Sequence, residues 1–227
     1  TVLRRAGLSH GDLGAVAATS GPGLIGGLIV AFAARLFPGL AMAGTSRLAS
    51  LGYAMPGTVV ALGVLVPVAG LDRIIDAGAQ SLLGQATGLL LIGSGAALVY
   101  AYFVRFLAIS IGSIEAGFTQ IPRALDHAAR SLGHGASSSF RRVHLPLTRP
   151  ALAAAALLVF VDTMKELSAT LLLRPLNFET LATHLYGEAA RGTYEEGAIA
   201  ALAIVAAGIV PVILLARLGH RGGHGTN

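Results

Sequence analysis

His127-Ala-Ala-Arg-Ser-Leu-Gly-His-Gly-Ala-Ser-Ser-Ser-Phe-Arg-Arg-Val-His-Leu-Pro146 is the stretch on which the fold turns. Small Ala128 and Ala129 let a partner surface approach closely, and Gly133 permits the positive φ that ends a helix. Nine residues separate Gly133 from the run Val143-His-Leu-Pro146, and Pro146 with Pro150 punctuates the approach to the next apolar segment. The pattern reads as helix, turn, helix, a docking element set between two long apolar runs.

The rest of the chain supplies those runs. Of 227 residues, 54% are hydrophobic and 12% charged, with 30 glycines and a mean hydropathy of +0.73. Soluble domains are about one quarter charged, so this balance points away from a water-soluble fold. There is no cysteine, which excludes disulfides, thiolate metal sites and a cysteine nucleophile. The net charge of +5 comes from fifteen arginines and one lysine. It fits nucleic acid, anionic lipid or the cytoplasmic loops of a membrane protein, and the positions of the arginines decide among them. The opening stretch, residues 1–12, has neither an initiator methionine nor the order of a cleavable signal peptide, and reads as a fragment or an unusual start.

Four stretches, residues 13–34, 51–70, 82–104 and 197–216, carry no charge over the roughly 20 positions a helix needs to cross about 30 Å of hydrocarbon. A fifth, residues 151–173, is equally apolar except for Asp162, Lys165 and Glu166. Pro56-Gly57 and Pro67 do not veto these spans, because neighbouring helices and waters can satisfy the freed backbone groups. Between the third and fourth spans in chain order, residues 115–150 carry Arg123, Arg130, Arg141, Arg142 and Arg149 against Glu115 and Asp126, which by the positive-inside rule is a cytoplasmic loop. The carboxyl end, with Arg217 and Arg221, falls on the same side, and the acidic stretch 174–196 on the other. Residues 35–50 then lie inside and 71–81 outside, with the amino terminus outside despite Arg4 and Arg5. A basic loop lying on anionic headgroups would need no glycine and no proline at fixed intervals, so the spacing favours docking to a protein.

The segment 127–146 resembles the cytoplasmic signature of permease subunits of binding-protein-dependent ABC importers: Glu-Ala-Ala, three residues, Gly, nine residues, Ile, any residue, Leu-Pro. The resemblance implies that this loop is the coupling helix seated on an ATPase subunit, with Ala128, Ala129, Gly133, Val143, Leu145 and Pro146 in the matching positions. The family's glutamate is replaced by His127, with Asp126 one position away on a different helix face. No Gly-x-x-x-x-Gly-Lys-Ser/Thr loop occurs, so ATP would be bound by a partner chain and no cofactor by this one.

Asp162, Lys165 and Glu166 stand at i, i+3 and i+4, on one face of a continuous helix and about 17 to 23 Å from its start. An ionised group at mid-bilayer costs at least about 2.5 kcal/mol, so these three either pair, face water or serve transport. Lys165 can neutralise one carboxylate, and Ser168 and Thr170 extend the polar character; a solute path and a paired polar glue between helices are both open. The words around them, Lys165-Glu-Leu-Ser-Ala-Thr170 and Asn177-Phe178, together with Leu51-Gly-Tyr-Ala-Met-Pro-Gly57, resemble the iron(III)-type branch of these permeases. The branch characteristically has proline where this chain has Ser168, which predicts a less kinked span. The resemblance covers about residues 31–217 and is to the carboxyl-terminal half of a fused permease. The seven histidines are scattered and read as solvated or tail residues, and no metal site is expected.

Residues 6–30, with Ala18-Thr-Ser-Gly-Pro-Gly-Leu-Ile-Gly-Gly-Leu-Ile-Val30, also resemble a strand, glycine loop and helix start of the tRNA threonylcarbamoyl-transfer family. The alternative is a first span in which Gly23 and Gly27 are small packing positions. The chain therefore divides into an atypical segment 1–30, a transmembrane domain 31–217 and a cytoplasmic tail 218–227. The expected architecture is an all-α, polytopic inner-membrane bundle of about five spans. The resemblance implies a non-catalytic permease moving a solute, iron(III) foremost, by alternating access. Its partners would be ABC ATPase subunits, a second permease half, an external solute-binding protein and the lipid bilayer, with no nucleic acid. A fragment of the tRNA-modifying enzyme and a passive channel are the rival readings.

Overall fold

A computed structural model describes residues 10–222, with side chains placed over 23–213 and at 216. Every element among these residues is helical: α1 (His10–Leu36), α2 (Leu40–Ala54), α3 (Gly57–Leu83), α4 (Leu90–Gly93), α5 (Ala96–Thr119), α6 (Arg123–Ser131), α7 (Ala136–Ser139), α8 (Leu145–Met164), α9 (Ser168–Leu173), α10 (Leu181–Arg191) and α11 (Tyr194–Gly222). A π turn, Phe140–His144, joins α7 to α8. Four stretches are long and apolar enough to cross a membrane, Gly57–Leu83, Ala96–Thr119, Ala136–Met164 and Tyr194–Ile213, and α1 contributes the shorter apolar length Gly23–Leu36.

α5 is the hub. Ala101 and Ile114 on it are fully enclosed, and two apolar clusters form around it. One gathers Val60, Ala61 and Val64 of α3, Leu98 and Phe106 of α5, Val159 of α8 and Leu173 of α9. The other joins Ala31 of α1 to Ile114 and Phe118 of α5 and Ala155 of α8. The perimeter is inverted relative to a soluble protein: Val66 is 74%, Leu202 69% and Ile74 70% exposed, the surface that hydrocarbon tails solvate.

Several boundaries differ from the sequence expectation. The span expected over 51–70 is divided, because Pro56 cannot donate a backbone hydrogen bond: α2 ends at Ala54 and α3 starts at Gly57, while Pro67 is absorbed inside α3. α2 and α3 together run antiparallel to α5, Ser46 beside Glu115 at one end and Val60 and Val64 beside Leu98 at the other, so they form one broken crossing. The span expected over 82–104 begins only at Ala96. Residues between α3 and α5 turn back as an apolar loop with Gly84, Gly88 and Gly95 at positive φ. Two α3 carboxylates pin it: Asp72 accepts from the Leu91 and Ile92 amides at 2.8 and 3.1 Å, and Asp76 from Thr87 and Gly88 at 2.7 and 2.8 Å.

At the amino end, His10–Leu36 is one helix, so the strand and glycine loop of the tRNA-modifying reading do not form there; residues 6–9 of that reading lie outside the described residues. Gly27 does pack closely, since a Cβ there would stand 2.6 Å from Ser110 Cβ. Gly23 has nothing within 4 Å and Gly26 takes its place against Phe103 and Leu107.

Candidate functional site

The arginine-rich segment folds as α6, a turn, α7, the π turn and the start of α8. Gly133, at φ 77°, closes α6 with the paired bonds His134 N–H to Ala129 O and Gly133 N–H to Arg130 O, both 2.9 Å, the arrangement that a left-handed residue after a helix permits. The turn predicted at Gly133 is thus present. Beyond it the chain is helical rather than open, and Pro146 is the second residue of α8, directly after the π turn. Ala128 is exposed, but Ala129 is 5% exposed and faces the bundle, so only the first of the two alanines presents an outer surface. His127 is also exposed, with Arg130 Nη2 3.3 Å from its Nδ1. Val143 and Leu145 are half-buried and Pro146 exposed.

Asp126 turns inward. Its Oδ2 accepts from Arg35 Nε at 3.0 Å and Nη2 at 2.8 Å, and its Oδ1 lies 2.6 Å from His144 Nε2. Arg35 also donates to the carbonyls of Phe118 at 2.6 Å and Ile121 at 2.9 Å, where α5 ends. His144 is 1% exposed among Phe32 and Phe118, which corrects its reading as a solvated residue. The imidazole's N–H direction is not aligned on Asp126, so proximity of charge and polarity holds the pair, not a well-formed hydrogen bond. Neither arginine nor histidine was marked by the sequence, because nothing in the spacing of 35, 126 and 144 brings them together.

The second cluster lies at the breaks in the two interrupted crossings. α8 ends at Met164, Lys165 to Leu167 leave the helix, and α9 begins at Ser168. Asp162, Lys165 and Glu166 therefore do not share one face of a continuous helix, and the span is broken although Ser168 replaces proline. Asp162 pairs with Lys165 at 2.7 Å and accepts from the Tyr53 hydroxyl at 3.1 Å. Glu166 turns the other way: Oε2 stands 3.0 Å from Arg105 Nε, and Oε1 accepts from the Ala169 amide at 3.2 Å at the start of α9. The Arg105 N–H is not aligned on that carboxylate, so this contact too is an ion pair without a shaped hydrogen bond.

Arg105 Nη1 donates to Met55 O at 2.7 Å, at the end of α2, and a Cβ on Gly57 would meet Glu166 Oε1 at 2.5 Å, at the start of α3. One ion pair thus serves the cut ends of both crossings. Carbonyl ends attract the cation and amide ends the anion, which is the sense the helix dipole favours. Thr170 is fully buried, bonded to Tyr102 Oη and to Glu166 O. Lys165, Tyr53 and Ser168 are exposed, with 63% of the Lys165 side chain open. Of the five polar residues expected on a path, Asp162, Lys165 and Ser168 border an accessible face, while Glu166 and Thr170 are interior. Among the described residues no group of three or more His, Asp or Glu side chains is placed to hold a metal.

A polytopic bundle of apolar, membrane-length helices, with an arginine-rich segment at one end and charged breaks in two crossings, has the build of an integral membrane transport component. The chain belongs to the family of binding-protein-dependent transport system inner membrane components, whose profile matches residues 23–222. It is 33% identical over 118 residues to the Fe(3+)-transport system permease protein FbpB 2 of Haemophilus influenzae, covering 52% of this chain and 23% of that one. It is 29% identical over 171 residues to the putative 2-aminoethylphosphonate transport system permease protein PhnV of Salmonella typhimurium, covering 75% and 58%. To the maltose/maltodextrin transport system permease protein MalG of Yersinia pestis it is 32% identical over 137 residues, covering 60% and 45%. In each case the match spans less than two thirds of the relative's own length.

Proposed function

We propose that this chain is a permease subunit of an ABC importer and that α6 is the helix through which a separate ATPase drives it. The observation that carries this reading is the pairing of an outward polar face, His127 and Arg130 beside exposed Ala128, with a glycine-capped end at Gly133 that fixes where the helix stops. A cavity of about 370 Å³ adjoins that face; Arg35 and Asp126 in its lining are paired with each other, which leaves Arg123 and Arg130 as the cations it offers to an acidic partner surface. Arginine enrichment at this end supports a cytoplasmic location by the positive-inside rule.

The ATPase binds and hydrolyses ATP, a second permease half completes the path, and an external binding protein delivers the solute. Asp162, Lys165, Ser168 and Tyr53 border the path at mid-span, since discontinuous helices near the bilayer centre are where transporters expose backbone and charge to solutes. Glu166 and Thr170 shape it from behind. Iron(III) is the solute favoured by the resemblance of residues 165–178 to the iron-type branch and by the similarity to FbpB 2.

The reading is tested by co-expressing the chain with ABC ATPase subunits and purifying what associates with it. Association is expected with the native chain and its loss with Gly133→Leu, whose side chain is strained at a φ of 77°. In proteoliposomes loaded with that complex, uptake of radioactive iron should require ATP. Association that survives Gly133→Leu, or solute flux without ATP, overturns the coupling role.

A further inference from the structure

We propose that Arg35, Asp126 and His144 are positioning residues, a buried clamp that makes the docking helix α6, the foot of α1 and the foot of α8 move as one body. The proposal rests on α6 being the docking helix for what the clamp transmits, whereas the existence of the clamp is independent of it.

Three observations carry it. First, α6 has little else to hold it: of its nine residues Ala129 alone is buried. Dispersion from one methyl group is a weak anchor, so the attachment falls to the Asp126 carboxylate. Second, that carboxylate is divided between two partners on different elements. Oδ2 takes two donors of the Arg35 fork at 3.0 and 2.8 Å, and Oδ1 faces His144 Nε2 at 2.6 Å. Arg35 also donates to Phe118 O and Ile121 O, so the end of α5 is held by the same guanidinium. A planar fork with several acceptors fixes direction as well as distance, and with side-chain exposures of 10% for Arg35, 15% for Asp126 and 1% for His144 the contacts are little screened.

Third, the π turn Phe140–His144 aims the histidine. Each residue added to a helix rotates the side chains on one side of the insertion by about 100° relative to those on the other. The wide turn thus sets the phase between α7 and the membrane helix α8, and His144 lands in the pocket of Phe32 and Phe118 facing Asp126. A force on α6 is therefore applied at once to α1 through Arg35 and to α8 through His144.

The chain has no cysteine, so spin labels can be placed at will. Labels at exposed Ser131 and Leu147 report α6 against α8, and labels at Ser131 and Leu36 report α6 against α1, each measured as a distance distribution in the full chain in lipid nanodiscs. Both distributions are expected to be narrow. Asp126→Asn should widen both at least twofold, and Asp126→Glu should leave both near their original width. His144→Phe, which fills the same aromatic pocket, should widen the Ser131–Leu147 distribution and spare the Ser131–Leu36 one. Arg35→Lys should do the reverse.

Widths unchanged in Asp126→Asn overturn the clamp, as does a His144→Phe variant that loosens both distances equally, which is the mark of a core residue. Where Asp126→Asn does not fold, the opposed responses of His144→Phe and Arg35→Lys decide. None of these measurements needs the ATPase, so a failed clamp and a failed docking role give different results.

Discussion

Arg105 and Glu166 meet where two membrane crossings are cut, and each answers backbone groups that the cut leaves without partners. Removing the acid strands a guanidinium in a largely dry position, so Glu166→Ala is expected to destabilise the fold by about 3–5 kcal/mol. Glu166→Gln, which still accepts from the Ala169 amide, should cost less; denaturant titration in detergent checks both. Between α10 and α11, the Glu188 carboxyl is held below the ordinary glutamate range, first by the Thr193 hydroxyl, 2.5 Å away, and then by the Arg191 guanidinium. A lowered folded value means that its stabilising contribution is complete above the ordinary glutamate range and is lost as pH falls through the folded value. Thr193→Val should therefore move the acid-side loss of stability to higher pH, read by following unfolding from pH 7 down to pH 3. Neither role is written in residue type. Glu166 stands next to Lys165 and Asp162 in sequence, yet its partner Arg105 is on another helix. Asp126, one position from His127 and on a different helix face, is likewise paired with a residue distant in sequence, Arg35.

Among the elements, α2 is short and mostly exposed, and its packing on α5 depends on Gly52, the one buried residue it has. A Cβ there would collide with the Val104 carbonyl oxygen, which is backbone and cannot swing aside. Gly52→Ala should cost about 1–3 kcal/mol through overpacking, whereas Gly63→Ala, at a position on α3 with nothing within 4 Å, should be neutral or mildly stabilising. Comparative thermal unfolding of the two variants checks this. Four of the five expected spans correspond to helices of about the right chain position, but the one expected from residue 82 begins fourteen residues later, at Ala96. Hydropathy could not see the loop, because Leu82, Leu83 and Leu89 to Ile92 are as apolar as the spans they separate. The signal was in the glycines at 84, 88 and 95 and in Asp72 and Asp76 four residues apart, whose carboxylates cap the loop's amides.

At the scale of the whole molecule, one face of the bundle carries Tyr53, Lys165 and Ser168 at mid-span, while elsewhere the perimeter is hydrocarbon-like. A lysine ammonium open to lipid at that depth is costly, so this face is expected to meet water or another polar surface in place of lipid. A cysteine at Lys165 should react with a charged, water-soluble thiol reagent in the assembled transporter, and one at Leu62, 55% exposed on α3, should be protected by lipid. Equal protection of the two would show that Lys165 does not face water.

The sequence by itself determined that this is a membrane-embedded all-helical protein with a helix closed at Gly133. Hydropathy over a bilayer's thickness and a positive-φ turn are local properties of the chain. The tertiary structure alone decided which charges pair, where the crossings break and why His144 is buried. Those outcomes depend on helices distant in sequence supplying counter-charges and backbone partners in a medium where none can be left without one.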